Sequence, residues 1–168
     1  KKKDRTPVVF PQVQVTIESI DLDANGIGHV DGKVHFIDGA ITGETVIAEV
    51  VRIKPSYSKG RTLQVLNTVS TRTTPKCPHY GVCGGCAMQH IEPNAQVAIK
   101  NRALEDLLQR IGRQQPEQMM PPIYGSFWGY RHRARLSTRF VIKKDRFFVG
   151  FHEKSSSYVA DMQECHVL

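Results

Sequence analysis

Cysteine stands at only four places in this chain, and the spacing of those four limits what it can fold into more than any other feature. Cys77, Cys83 and Cys86 lie in the run CPHYGVCGGC, with five residues in the first gap and two in the second, and Cys165 stands near the far end. Three closely spaced thiolates on a Gly-rich loop plus a remote fourth describe one metal or iron–sulfur site that ties two ends of a segment together. Two disulfides would need an oxidising compartment, yet no apolar signal-peptide stretch is present, and Cys83-Gly84-Gly85-Cys86 is a poor bridge. Zinc accepts four thiolates in a tetrahedron and is the stronger rival. Zinc ribbons usually offer two Cys-x-x-Cys knuckles, however, and here the second is missing, so the spacing favours a cluster wrapped by a loop and closed by a distant ligand. Gly84 and Gly85 suit either ion, because backbone without Cβ approaches sulfur closely and donates N–H bonds to it.

Charge narrows the partner. The 168 residues carry a formal charge of +7 with a pI near 9.4, which implies an anionic partner, either nucleic acid or an acidic membrane face. No apolar run approaches membrane-spanning length, so a soluble, cytoplasmic protein is expected. The charge is uneven: residues 1–70 hold nine Lys/Arg against eight Asp/Glu, and 71–168 hold fourteen against eight. Its densest block is Arg131, Arg133, Arg135, Arg139, Lys143, Lys144 and Arg146, opposed within the block only by Asp145. Residues 1–9 read as a basic, disordered arm. The start at Lys1 rather than Met, and the end three residues after Cys165, lead one to expect a segment of something longer.

From Val13 to Val69 the pattern is short, β-rich and punctuated: VQVTIESI, GIGHVDGKVHFI, TVIAEVVRIK and RTLQVLNTV. Breaks are expected at Asp23-Ala24-Asn25-Gly26, Asp31-Gly32, Asp38-Gly39 and Ser58-Lys59-Gly60, and Asp31-Gly32 is a two-residue hairpin signal. About five strands in so short a stretch must close to hide their edges, which predicts a small oligonucleotide-binding type of barrel over 10–70, or an SH3-like one. A Thr/Pro-rich connector leads into the cysteine loop. Glu92-Pro93-Asn94 then starts a helix, whose apolar residues Val97, Ala98, Leu104, Leu107, Leu108 and Ile111 form one buried stripe, with Gly112 as the stop. After a Pro-rich loop, RARLSTRFVI and RFFVGFHEK flank Lys143-Lys144-Asp145 as a hairpin, and SYVADMQEC is a third strand delivering Cys165. Residues 71–168 are thus expected to form a small α+β domain around the cysteine site.

Phe127 to Arg135, FWGYRHRAR, interleaves aromatics with bases. Phosphates need cations, and splayed bases need aromatic or guanidinium planes to stack on. In a strand, Arg131, Arg133 and Arg135 would share one face, where three like charges want an anion opposite. Trp128, Tyr130, Arg131, His132, Arg133 and Arg135 are therefore candidate RNA contacts, against the plainer possibility that the aromatics plug a core and the arginines are solvated. No basic amphipathic helix with bulky apolar anchors points to a membrane instead. On the barrel, Lys33, His35, Arg52, Lys54, Lys59 and Arg61 form a weaker second face, best at a loop tip Lys59-Gly60-Arg61. His79 and His90 flank the cysteines in a supporting position, since four thiolates already complete a ligand set. No nucleotide-cradling Gly-rich loop, tuned carboxylate pair or serine–histidine arrangement is visible, so no catalytic residue is expected here.

In order, a barrel over about 10–70, CPHYGVCGGCAMQH, WGYRHRARLS and GFHEKSSSYVADMQEC resemble the amino-terminal part of the bacterial 23S rRNA uracil-C5 methyltransferases that carry an iron–sulfur cluster, the RlmD or RumA type. The resemblance covers nearly the whole chain. It implies an RNA-binding TRAM barrel followed by a small central domain with a 4Fe–4S cluster on Cys77, Cys83, Cys86 and Cys165. It also implies a 23S ribosomal RNA partner, a monomer, no DNA, and S-adenosylmethionine bound by a catalytic domain that this chain does not reach, so that the segment alone is inactive. A radical methylthiotransferase, also TRAM-bearing, spaces its cluster cysteines with three residues and then two, unlike this run. A zinc-stabilised, free-standing RNA-binding module such as a ribosome-assembly factor is the alternative of another class, and a ferredoxin-type carrier fits poorly with a basic chain bearing a barrel.

Overall fold

The computed structural model describes residues 10–168, so the basic arm expected at 1–9 lies outside the described residues. The chain divides into two compact units, Lys1–Arg72 and Thr73–Leu168.

In the first unit one six-stranded sheet runs β1 (Gln12–Thr16), β2 (Ser19–Ile20), β3 (Asn25–Val30), β4 (Lys33–Asp38), β5 (Thr45–Ile53) and β6 (Tyr57–Asn67). Its spatial order is β1-β5-β6-β4-β3-β2, antiparallel except for the parallel β4–β6 pair. The two edges, β1 and β2, are consecutive in the chain, so the sheet curls on itself and fits the expected oligonucleotide-binding type of fold. The curl is tight: a Cβ on Gly28 of β3 would lie 2.3 Å from the carbonyl oxygen of Thr16 on β1. Val15, Ile17, Ile37, Ala40, Val46 and Ala48 form the core, drawn from alternate strand positions as a half-buried sheet requires. The Asp31-Gly32 hairpin forms as expected, with φ of 49° and 73° and Val30 opposite Lys33.

One expected break is not a break. Ser58, Lys59 and Gly60 lie inside β6, and the chain turns instead between Ile53 and Tyr57. Gly60 serves a close crossing rather than a turn, because a Cβ there would meet the Glu49 carbonyl oxygen at 2.7 Å, beside an irregularity in the β5–β6 register. The unit closes on a buried ion pair that the sequence does not announce. Glu44 is fully buried; its carboxylate accepts from Arg72 Nε at 2.5 Å, from Arg72 Nη2 at 2.7 Å and from Ile41 N at 2.9 Å.

In the second unit, α1 spans Pro93–Asp106 and continues as a π-helical turn over Leu107–Ile111. Its start is as expected: Pro93 opens the first turn and the Glu92 carboxylate accepts from Ala95 N at 2.9 Å. The expected buried stripe is absent, since no residue of α1 or of the π turn is buried and Leu104 and Ile111 are exposed. Periodicity specifies a helix, not what covers its face. β7 (Ser137–Val141) and β8 (Arg146–Gly150) form the expected hairpin, with Asp145 in a left-handed turn at φ 48°. The third strand does not form. Residues after β8 make only isolated bridges, Cys83 with Glu153 and His152 with Val159: Tyr158 O and Ala160 N bond back to Glu153 and Phe151, while His152 O and Lys154 N are taken by the cysteine loop. Nor do Arg131–Leu136 belong to a strand, so the alternation that was to put three arginines on one face does not apply.

Candidate metal centre and nucleic-acid interface

The loop that carries the first three cysteines is built from short local bonds. Tyr80 N donates to Cys77 O at 3.1 Å, and Val82 N and Cys83 N both donate to His79 O. The stretch after β8 then locks onto it: Gly84 N donates to His152 O and Lys154 N to Val82 O, each at 2.8 Å. The two glycines are needed for that approach. A Cβ on Gly84 would stand 2.9 Å from His152 O, and one on Gly85 3.0 Å from the Phe151 ring and 3.4 Å from Cys83 Sγ. Gly85 N points at the same sulfur, 3.4 Å away.

The fourth cysteine arrives by a separate set of ties. Gln163 N donates to His79 Nε2 at 3.2 Å, Gly129 N to His166 O and Arg131 N to Val167 O. Cys77, Cys83, Cys86 and Cys165 all line one cavity, walled also by Phe151, Met162 and Val167. No disulfide joins any of them. Burial pushes the Cys83 thiol up; the Gly85 N–H draws it down, and Cys86, Cys77 and Cys165 push it up further. Four thiolates sharing one partly apolar cavity repel one another and are stable together only around positive charge, so the donor set fits a cationic metal group. Among the described residues no group of three or more His, Cys, Asp or Glu side chains is arranged to hold one metal ion. His79 lines the cavity, whereas His90 is buried behind the loop with Nδ1 2.5 Å from the Tyr80 hydroxyl, which itself donates to Ala87 O.

Of the residues singled out for RNA, Arg131, His132, Arg133 and Arg135 are exposed in the irregular stretch before β7. Among the described residues none of those three arginines has a carboxylate partner, and Arg131 lies 5.9 Å over the Tyr130 ring. Arg146 and Lys144, in contrast, both pair with Asp161, and both stand over the Phe148 ring. Asp161 lies outside the basic block, so sequence counting leaves it out; the block splits into a part that shares a carboxylate, Lys144 and Arg146, and an open part. Trp128 is half-buried, with Lys76 Nζ 5.3 Å from its ring centroid and His166 edge-on to it.

The weaker barrel face changes more. His35 is buried and leaves the expected surface. Lys59 and Arg61 lie on the exposed side of β6 rather than at a loop tip, and Arg61 Nε donates to Glu49 at 2.7 Å. Lys59 alone of that pair keeps an open charge.

Comparison with known proteins agrees with this architecture. Residues 9–63 match the TRAM domain family. Over most of its length the chain is similar to RlmD-type 23S rRNA (uracil-C5)-methyltransferases, in agreement with the resemblance read from the cysteine run and the basic stretch. It is 59% identical over 154 residues to the 23S rRNA (uracil(1939)-C(5))-methyltransferase RlmD of Bordetella pertussis, covering 92% of this chain and 33% of the relative. The RlmD of Chromobacterium violaceum is 56% identical over 161 residues, 96% of this chain and 31% of that protein. The chain therefore spans about a third of the length of the relatives it matches. The fold is shared with Pyrococcus abyssi tRNA (uracil-54, C5)-methyltransferase, solved with S-adenosyl-L-homocysteine, at a TM-score of 0.55 and 23% identity over 92% of this chain and 32% of that one. No helix among the described residues is long and apolar enough to cross a membrane.

Proposed function

We propose that this chain is the RNA-recognition and cluster-bearing segment of an S-adenosylmethionine-dependent 23S rRNA uracil-C5 methyltransferase, one that forms 5-methyluridine in the cytoplasm. The observation that carries the reading is the single cavity walled by all four cysteines in a chain so similar to RlmD enzymes. Cys77, Cys83, Cys86 and Cys165 would hold a 4Fe–4S cluster. Bound there, the group supplies a cross-link between the cysteine loop and the chain's last residues rather than a reacting centre. The sequence spacing supports a cluster over zinc, because three cysteines on one loop with a distant fourth lack the second Cys-x-x-Cys knuckle of a zinc ribbon.

RNA recognition rests on the unpaired arginines. Arg131, Arg133 and Arg135 meet phosphates, while Trp128, Tyr130 and His132 offer planes and an edge to bases splayed from a folded rRNA segment. Lys59 adds a phosphate contact from the barrel, with Arg61 beside it. S-adenosylmethionine and the groups that act on the flipped uracil belong, in this reading, to the two-thirds of the relatives' length outside the span of this chain, and the segment alone is an inactive monomer. Metal and acid-labile sulfide analysis of the chain purified without oxygen tests the cluster. About four irons and four sulfides per chain are expected; one zinc and no sulfide would replace this reading with a zinc-stapled RNA-binding module.

A further inference from the structure

Beside the cysteine cavity, and within the second unit, lies a larger groove whose wall includes Trp128 and Tyr130. It encloses about 1190 Å³ counting its open mouth and is formed by the loop after Cys86, the first turns of α1 and the stretch 124–130. Tyr124 and Phe127 stack there with ring centroids 6.3 Å apart and planes 24° apart, and Trp128 lines the groove with them. On the helix side two amides are pinned to backbone by one half each: Gln96 donates Nε2 to Ile91 O at 2.9 Å, and Gln89 Oε1 accepts from Cys77 N at 3.1 Å. That leaves Gln96 its acceptor and Gln89 its donors for an incoming group. Lys100 also lines the groove without an ion pair among the described residues, and no carboxylate does.

The wall sets polar groups of fixed direction among apolar side chains such as Met88, Pro93 and Val97. Stacked rings offer π faces, anchored amides offer fixed donors and acceptors, and a lysine in a wall free of carboxylates favours an anion. Together these are what an unstacked nucleotide needs. We propose that this groove binds bases of a single-stranded RNA segment, with one base stacked on the Tyr124–Phe127 pair, its edge met by Gln89 and Gln96, and its phosphate by Lys100. The inference rests on the RNA-recognition reading and adds to it a further stacking place, on Tyr124 and Phe127, beside the Trp128 and Tyr130 planes that reading already uses.

Binding of a short, labelled single-stranded RNA of mixed sequence to the chain with its metal group loaded, measured by anisotropy over a range of salt, tests it. Tyr124 is 62% exposed, so its replacement leaves the fold intact. Tyr124→Ala is expected to weaken binding about tenfold with the salt slope unchanged, since no phosphate contact is lost, whereas Tyr124→Phe keeps wild-type affinity. Lys100→Gln lowers the salt slope by about one phosphate, and ultraviolet cross-links include Tyr124 or Phe127. If Tyr124→Ala binds like wild type and cross-links map elsewhere while Arg131→Ala still flattens the salt slope, the groove is overturned and the RNA-recognition reading stands. If the wild-type chain binds no RNA at any salt, both fall. Equal affinity for a duplex of the same sequence also removes the groove, because a paired base cannot enter it.

Discussion

The barrel and the second unit solve the same problem, keeping a small chain folded, by different means. Ile17, Ile37, Val46 and Glu44 of the barrel are among the largest side chains shut away completely, while the second unit contributes Ile91. The barrel's backbone groups are spent in a nearly continuous ladder. The second unit has one short hairpin, a helix with nothing buried, and many large apolar side chains in the open, including Leu104, Ile111, Ile123, Ile142 and Phe147. A unit with so small a core needs a staple, and the metal group proposed for the cavity shared by Cys77, Cys83, Cys86 and Cys165 would be that staple. Self-sufficient burial and cross-linked irregular chain should therefore fail under different insults.

The largest effect is expected from cutting the staple. On the proposed reading Cys165→Ser would remove the ligand that closes the site, and binding free energy at such sites is folding free energy. Thermal unfolding followed by calorimetry should lose the transition of the second unit while the barrel's transition stays in place. Chelation of the metal should have the same outcome. An unchanged pair of transitions in Cys165→Ser would show that hydrogen bonds such as Arg131 N to Val167 O and Gln163 N to His79 hold the unit without the metal.

The reverse experiment strikes the barrel. Arg72→Ala leaves the fully buried Glu44 carboxylate with only the Ile41 N–H, and breaking one side of a buried ion pair costs about 3–5 kcal/mol. Denaturant unfolding of the barrel should shift by that amount with iron content unaltered. Glu44→Gln with Arg72→Met, which removes both charges, should recover most of the loss. If Arg72→Ala costs less than about 1 kcal/mol, the pair is a surface bridge in effect and the barrel closes without it.

How far these features could be read beforehand differs between the two units for the same reason. Local signals were legible: Asp31-Gly32 demands positive φ and makes its hairpin, and Glu92-Pro93 caps its helix. The four cysteines announce a shared site through spacing alone. What was illegible depends on partners distant in sequence. Gly60 looks like a turn until the Glu49 carbonyl is seen pressing against it; Arg72 looks like linker until Glu44, 28 residues earlier, is seen beneath it. The arginine run looks like a strand because residues 131–141 alternate, yet Arg131 N is drawn off to Val167 O and the strand begins only at Ser137. The Tyr124–Phe127 groove gave no signal, since its walls come from three separated stretches. Irregular chain braced by long-range bonds hides its geometry from periodicity, and the second unit is mostly such chain.

Smaller in energy, but decisive for function, is the split in the basic block. Arg131→Ala and Arg133→Ala should each weaken RNA binding and reduce the salt slope by about one phosphate, because neither charge is neutralised internally. Arg146→Ala should change the slope little, since its guanidinium is already paired with Asp161. Equal slopes for all three variants would mean that Asp161 surrenders Arg146 to the RNA and that the two parts act as one surface.

The smallest effect returns to the barrel and to pH. His35 is buried, and Nδ1 has no hydrogen-bond partner among the described residues. Burial lowers its pKa below the ordinary 6.5; Lys33 and His29 lower it further and Asp31 works the other way. The folded barrel thus binds a proton here less readily than the unfolded chain does. Between the folded value and 6.5 the unfolded state holds more protons, so stability is complete above pH 6.5 and falls as the pH drops towards the folded value. Barrel melting temperature should decline on going from pH 7 to pH 5, and His35→Gln, neutral throughout, should flatten that decline. A His35→Gln barrel with the full wild-type slope would place the pH response outside this residue and make the buried ring a packing group only.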